Sequence, residues 1–359
     1  ETFAKSSTVI KNGKLFGIIY LPKFYISFDN KDKRDAFKDV AKEIERLKTQ
    51  NVQGIIMDLR DNGGGSLQTV VDMVGLFIDK GPVVQVKYAR SNPNILVDKD
   101  SNIQWNGPLV VLVNGYSASA SEIFAAAIQD YKRGVVIGSK HTYGKGTVQN
   151  IIDLNDMLRS NNLGDLGSLK TTVQKFYRIN GGSTQREGVL SDIVLPDNFS
   201  YFDTGERDEP EALPWDKIKQ ASYNTTGANF DVVLANSKMR VQKSAQFKLI
   251  DAYAKWNFSR KDDKEVSLNY KKYKSELAAL ETTNKTFDGI KKYKNNLKFS
   301  SLPHEIEQFK TDSILKEKRN RWHEDMSKDP YIDESLNVIV DINKLVKSSN
   351  YVSLRNSKK

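Results

Sequence analysis

The sequence predicts an α/β core of alternating strands and helices, followed by a mainly α-helical second domain. Three observations predict it. Over the first two hundred residues, short apolar β-branched runs alternate with segments of helical apolar spacing, the pattern of crossover units in a largely parallel, covered sheet. Around residues 197 to 216, "DNFSYFDTGERDEPEALPWD", acid, proline and glycine break that pattern. From about residue 230 the chain becomes long, charged and helical, with apolar residues every three or four positions. The division expected is a core over residues 1–205 and a helical domain over 206–359.

Taken in order, "LFGIIYLPKF" reads as a strand, "DAFKDVAKEIERLKTQ" as an amphipathic helix, "VQGIIMDLR" as a strand and "LQTVVDMVGLFI" as a helix. "PLVVLVN" is a strand, "SEIFAAAIQDY" a helix and "GVVIGS" a strand, before the strand pair "GTVQNIIDL" and "LKTTVQKFYRI". The later helices are "VVLANSKMRVQKSAQFKLIDAYAKWNF", "EVSLNYKKYKSELAALETTNK", "SILKEKRNRWHEDM" and "DESLNVIVDINKLVK", the last with Asp333 as N-cap. Their apolar stripes predict packing on one another or on the core. No internal repeat or low-complexity tract interrupts the chain.

Composition removes whole classes of chemistry. With no cysteine there are no disulfides, thiol nucleophiles or thiolate metal sites, and three scattered histidines do not make a metal centre. No metal and no cofactor is expected. No run approaches the ~18 apolar residues of a membrane-spanning helix. The net charge of +10 sits almost wholly in the last part: residues 1–210 hold 26 Lys+Arg against 25 Asp+Glu, and residues 211–359 hold 29 against 20. Acids are interspersed with those bases and no nucleic-acid motif accompanies them, so a solvated helical surface is expected rather than a nucleic-acid partner.

Chemistry concentrates in three turns, and ligands of such sheets sit beyond the carboxyl ends of the strands. "DLRDNGGGSL", residues 58–67, ends a strand in an asparagine and three glycines before a helix, a cradle for negative charge that is neither a P-loop nor a dinucleotide fingerprint. "NGYSASASEIF" places Ser117, Ser119 and Ser121 where a strand hands over to a helix; one serves as cap, Ser121 with Glu122 suiting a first turn, and Ser119 sits beside the amide ends. "HTYGKGTVQ" sets Lys145 between Gly144 and Gly146, where burial would lower the amine's pKa toward that of a base. On an extended segment Lys145, Thr147 and Gln149 share a face, and Gln149 is then placed to hold the amine. His141 is the alternative base, with no acid partner identifiable.

Together, "DLRDNGGG", "NGYSASASEIFAAAIQDYKRGVVIGS", "TYGKGTVQ" and "FYRINGGSTQREGVLSDIVLP" resemble the tail-specific, or C-terminal processing, serine proteases with a Ser-Lys dyad. "ALPWD", "VSLNY" and "DPYIDESLNVIVDINKL" resemble the helical C-terminal region of the long bacterial type. The resemblance covers almost the whole chain. It implies a crotonase-like core with Ser119 as nucleophile, Lys145 as general base and Gln149 supporting the lysine. Backbone amides of Gly64 or Gly65, with that of Ala120, would form the oxyanion hole; Arg60, Glu122, Asp130 and Thr142 match supporting positions. "GSKHTYGKG" is one residue longer than the family's usual turn before the lysine.

The resemblance further implies endopeptidase action on unfolded proteins or flexible apolar tails, presented by a PDZ domain and in some cases an adaptor, outside the cytoplasm and in bacteria in the periplasm. This sequence shows no PDZ-like segment and begins at the strand that follows that domain, so a core of a longer chain, with low activity by itself, is the expectation. Two other classes share the fold: acyl-thioester enzymes, which need carboxylates opposite the glycine cradle, and a non-catalytic binding scaffold.

Overall fold

The computed structural model describes residues 3–27, 34–157 and 164–347. Strands β1 (Lys5–Lys11), β2 (Lys14–Tyr20), β3 (Ile55–Asp58), β6 (Leu109–Val113), β7 (Val135–Gly138), β10 (Ile193–Val194) and β11 (Lys298–Ser300) form one sheet, in the order β10-β7-β6-β3-β2-β1-β11. From β2 through β3, β6 and β7 to β10 the pairing is parallel; β1 runs antiparallel to β2, and β11 antiparallel to β1. A second, antiparallel sheet, β5-β4-β9-β8, comprises β4 (Gly81–Lys87), β5 (Asn94–Asp98), β8 (Thr147–Asp153) and β9 (Ser168–Tyr177). Sequence reading missed β1, β4, β5, β10 and β11, which lack the long apolar runs of β3 and β6 and owe their form to pairing.

Helices α1 (Ala36–Thr49), α2 (Leu67–Gly75) and α3 (Ala120–Asp130) follow β2, β3 and β6. The continuous apolar runs of the central strands are explained by burial on both faces. Ile55, Met57, Leu109, Val111 and Val113 pack into the cluster beneath α1–α3, whereas the alternate residues Ile56, Val110 and Leu112 pack into a second cluster on the opposite face. That second face is covered from the C-terminal region by α4 (Asp231–Lys243), α5 (Ala245–Ser259) and α10 (Pro330–Lys347), through Val233, Phe247, Leu336 and Ile339.

The remaining helices are α6 (Tyr270–Lys285), α7 (Asp288–Lys292), α8 (Pro303–Gln308) and α9 (Ser313–Ser327). Three boundaries differ from expectation. The segment from Val232 to Phe258 is two helices, because Ser244 turns out of helical geometry and caps α5 by accepting from Phe247 N–H at 3.3 Å. "EVSLN" is not helical, and α6 starts only after Asn269, which accepts from Lys272 N–H at 3.1 Å. Finally, α10 starts at Pro330, so Asp333 lies in its first turn and pairs with Lys11 at 2.5 Å; the cap is Asp329. No helix among the described residues is long and apolar enough to cross a membrane.

Candidate active site

The carboxyl ends of β3, β6 and β7 present the three turns singled out above. After β6, Ser117 Oγ donates to Leu59 O at 2.8 Å and Ser121 Oγ to Asn62 O at 2.8 Å, so both hydroxyls are buried in ties to the β3 turn. Ser119 is left half-buried at the N-cap position of α3, in a capping box with Glu122. The cap is thus at Ser119 and not Ser121, since the helix begins at Ala120. Ser119 has φ +57° and ψ −111°, a strained conformation for a residue with a Cβ, held by its surroundings. Its N–H donates to Glu122 Oε2 at 2.7 Å.

Glu122 is the hub. It is fully buried and accepts four hydrogen bonds: Ser119 N–H at 2.7 Å and Lys145 N–H at 3.0 Å on Oε2, Thr142 Oγ1 at 2.6 Å and Gly144 N–H at 2.7 Å on Oε1. Ser119 and Lys145 therefore share one carboxylate oxygen, and their amides can be no farther apart than the sum of two short bonds. Burial pushes the Glu122 carboxyl up to about 7 even against these four donors.

On the lysine turn, Gly144 has φ +93°, and a Cβ there would stand 2.8 Å from Arg186 O; at Gly146 it would stand 2.6 Å from Gln185 N. The flanking glycines let the segment 183–188 close over the turn. Thr184 Oγ1 donates to Lys145 O at 3.0 Å and Gly146 N–H to Gln185 Oε1 at 2.9 Å. Lys145 is half-buried, and its Nζ donates to Gln149 Oε1 at 3.1 Å with no hydrogen bond to Ser119 Oγ. Burial, followed by the charge of Lys170, lowers its amine below the ordinary lysine value.

On the glycine turn, Gly64 lies against the Ser119 turn: a Cβ there would stand 2.8 Å from Ala118 O and from Ser119 Cβ, and 3.0 Å from Ala120 N. The Gly64 N–H is spent on Asn62 Oδ1 at 2.9 Å. Asn62 is fully buried, donates to Leu21 O at 2.8 Å, and accepts on its own carbonyl from Ala118 N–H at 3.0 Å. Gly65 is exposed, and neither its N–H nor that of Ala120 meets an acceptor among the described residues.

Of the other expected residues, Thr142 is at the hub, accepting from Val189 N–H at 2.8 Å while it donates to Glu122. Asp130 is elsewhere: it ends the 11-residue α3, about 16 Å from Ser119 at 1.5 Å per residue, and pairs with Arg178 at 2.5 Å and Asn180 at 2.9 Å. Arg60 turns away from Ser119, toward Asp58 and Asp329. His141 faces Thr142 O and Arg207, and burial lowers its pKa. Asn62, Thr184 and Gln185 were missed as site residues. All three stand inside the quoted motifs, but only the tertiary contacts give them roles.

A cleft of about 650 Å³ lies away from this constellation. It lies between the carboxyl ends of β3, β6 and β7 and the α9–α10 junction, lined among others by Arg60, Asn114, His141, Phe199 and Tyr331.

A doubly covered sheet whose strand ends bring together a strained serine, a lysine with lowered pKa and a glycine turn beside them has the make-up of a serine hydrolase core. The chain belongs to peptidase family S41, whose model matches residues 16–195; the C-terminal domain of tail specific protease matches residues 199–344. It is 43% identical over 282 residues to the Tail-specific protease of Haemophilus influenzae, covering 77% of this chain and 38% of the relative. To the Carboxy-terminal-processing protease of Bartonella bacilliformis it is 34% identical over 224 residues, covering 61% and 48%. Among solved structures it is similar to the photosystem II D1 C-terminal processing protease, with 27% identity, TM-score 0.44, 54% of this chain and 48% of that one. The matched region spans less than half the length of each of these relatives.

Proposed function

We propose that the chain is the peptidase core of a serine endopeptidase that cuts flexible or unfolded polypeptides with Ser119 as nucleophile and Lys145 as general base. The observation that carries this is the shared Glu122 carboxylate, which binds the backbone of both residues and keeps their turns together. In the resting arrangement the amine rests on Gln149. Neutral Lys145 takes the Ser119 proton as the oxygen attacks the scissile carbonyl. The Gly65 and Ala120 amides, which lack internal acceptors, receive the oxyanion; each donor contributes about 3 kcal/mol to such a transition state. Gly65 is preferred over Gly64 because the Gly64 amide is committed to Asn62. The lysinium then protonates the departing amine and, neutral again, activates water for deacylation.

Substrate engagement completes the base: a chain laid over Lys145 removes water from a half-buried amine whose pKa burial already lowers. The names of the relatives support action on C-terminal tails. The test is cleavage of unfolded casein by the purified chain beside Ser119→Ala and Lys145→Ala. Both variants are expected to lose roughly 10³-fold or more in kcat. Equal cleavage by Ser119→Ala would refute the reading.

A further inference from the structure

The "DPY" of residues 329–331, at the start of α10, touches neither Ser119 nor Lys145, yet it is wired to the site through Arg60. Arg60 forms a fork on Asp58, with Nε to Oδ1 at 3.0 Å and Nη2 to Oδ2 at 2.7 Å, and spends Nη1 on Asp329 Oδ2 at 2.8 Å. All three side chains are largely buried, at 21%, 6% and 16% exposure, so water screens the contacts less than it would at the surface. Asp329 divides its oxygens: Oδ2 takes the guanidinium, while Oδ1 accepts from Tyr331 N–H at 2.8 Å and Ile332 N–H at 3.2 Å, capping α10. The Tyr331 ring stands 5.9 Å from the guanidinium, and its hydroxyl donates to Pro196 O at 2.8 Å.

Beyond Arg60 the connection runs straight into the site. The N–H of Asp61 donates to Asn114 Oδ1 at 3.0 Å, and Asn114 Nδ2 to Asp61 Oδ1 at 2.8 Å, locking the β3 turn to the β6 turn. Asn62 and Gly64 follow, with Gly64 against Ser119. Three residues separate Arg60 from Gly64, the glycine that abuts the Ser119 turn.

We infer that Asp329 is a positioning residue for the reaction: the helical C-terminal region, through Asp329 and Arg60, sets where the Asp61–Gly65 turn stands relative to Ser119. The inference rests on the peptidase reading above. The two carboxylates come from different parts of the chain: the Asp58 fork orients the guanidinium, and the third bond, to Asp329, ties that fork to the start of α10. Without Asp329 the fork on Asp58 remains, but its third anchor is gone and the turn gains freedom.

The double role of Asp329 supplies the test. Asn caps a helix as well as Asp does, so Asp329→Asn keeps the start of α10 and removes only the charge on Arg60. Asp329→Glu keeps the charge. With casein as substrate, Asp329→Asn is expected to lower kcat roughly 10- to 100-fold, with KM and Tm nearly unchanged, because small misplacements of reacting groups cost rate before they cost stability. Asp329→Glu is expected to recover part of the loss, and Asp329→Asn placed on Arg60→Lys to add much less than its single effect. A wild-type kcat in Asp329→Asn, or a loss matched by the fall in folded fraction, would overturn the inference while leaving the peptidase reading intact. Wild-type chain no more active than Ser119→Ala would overturn both.

Discussion

Replacing Glu122 by glutamine conserves shape and removes acceptor capacity at the one group that joins both reacting turns. The carboxylate receives four donors, two on each oxygen. A glutamine carbonyl serves one pair and sets an NH₂ against the other. If that NH₂ faces the Thr142 side, the Thr142 hydroxyl can rotate to accept from it, but the Gly144 N–H is left buried without a partner. Leaving one such donor unmade costs about 1–3 kcal/mol, and bonds to a charged acceptor fall in the upper part of that range, so a loss of about 3 kcal/mol is expected. Thermal unfolding should show this as a Tm lowered by several degrees. Because Ser119 and Lys145 no longer share an anchor, kcat on casein should fall about 100-fold, more than the remaining folded fraction explains. A Glu122→Gln chain with wild-type kcat and Tm would refute the argument that this carboxylate holds the site together.

Activity should rise with pH between about 6 and 9. Glu122, pushed up to about 7, is protonated below that value and loses acceptor capacity, while Lys145, lowered from the ordinary lysine value by burial, gains neutral fraction as pH increases toward its own pKa. Both signs agree, so a pH–rate profile that is flat or falls over this window would contradict the assignment of roles. Gly144→Ala forces a Cβ into a φ of +93° and to 2.8 Å from Arg186 O, and should destabilise the turn by about 1–3 kcal/mol with loss of activity, measured by unfolding and casein cleavage. Asp130→Asn weakens a buried pair with Arg178 about 16 Å along α3 from Ser119. It should lower Tm while kcat of the folded fraction stays within about threefold.

The apolar and glycine-rich local code of the core was legible in the sequence. Runs such as "GIIM" and "PLVVLV" are apolar at every position because both sheet faces are covered, and a chain with that pattern has few other ways to bury itself. The glycines beside Lys145 and in "DNGGG" were equally legible, since backbone at positive φ or in close approach excludes a side chain whatever the surroundings. Partners far apart in sequence were not. Nothing local says that Glu122 binds the lysine turn 22 to 23 positions away, that Asn62 donates to Leu21 O, or that Asp130 faces Arg178. Nor does it say that Asp329 reaches back to Arg60, or that β11 joins β1. Backbone propensity and hydrophobic period are properties of a few consecutive residues, so the sequence by itself determined the central strands, the helices between them and the turns that hold the glycines, Ser119 and Lys145, while the edge strands took their form from pairing. Which donor meets which acceptor depends on how those segments stack, and that was decided only by the tertiary structure.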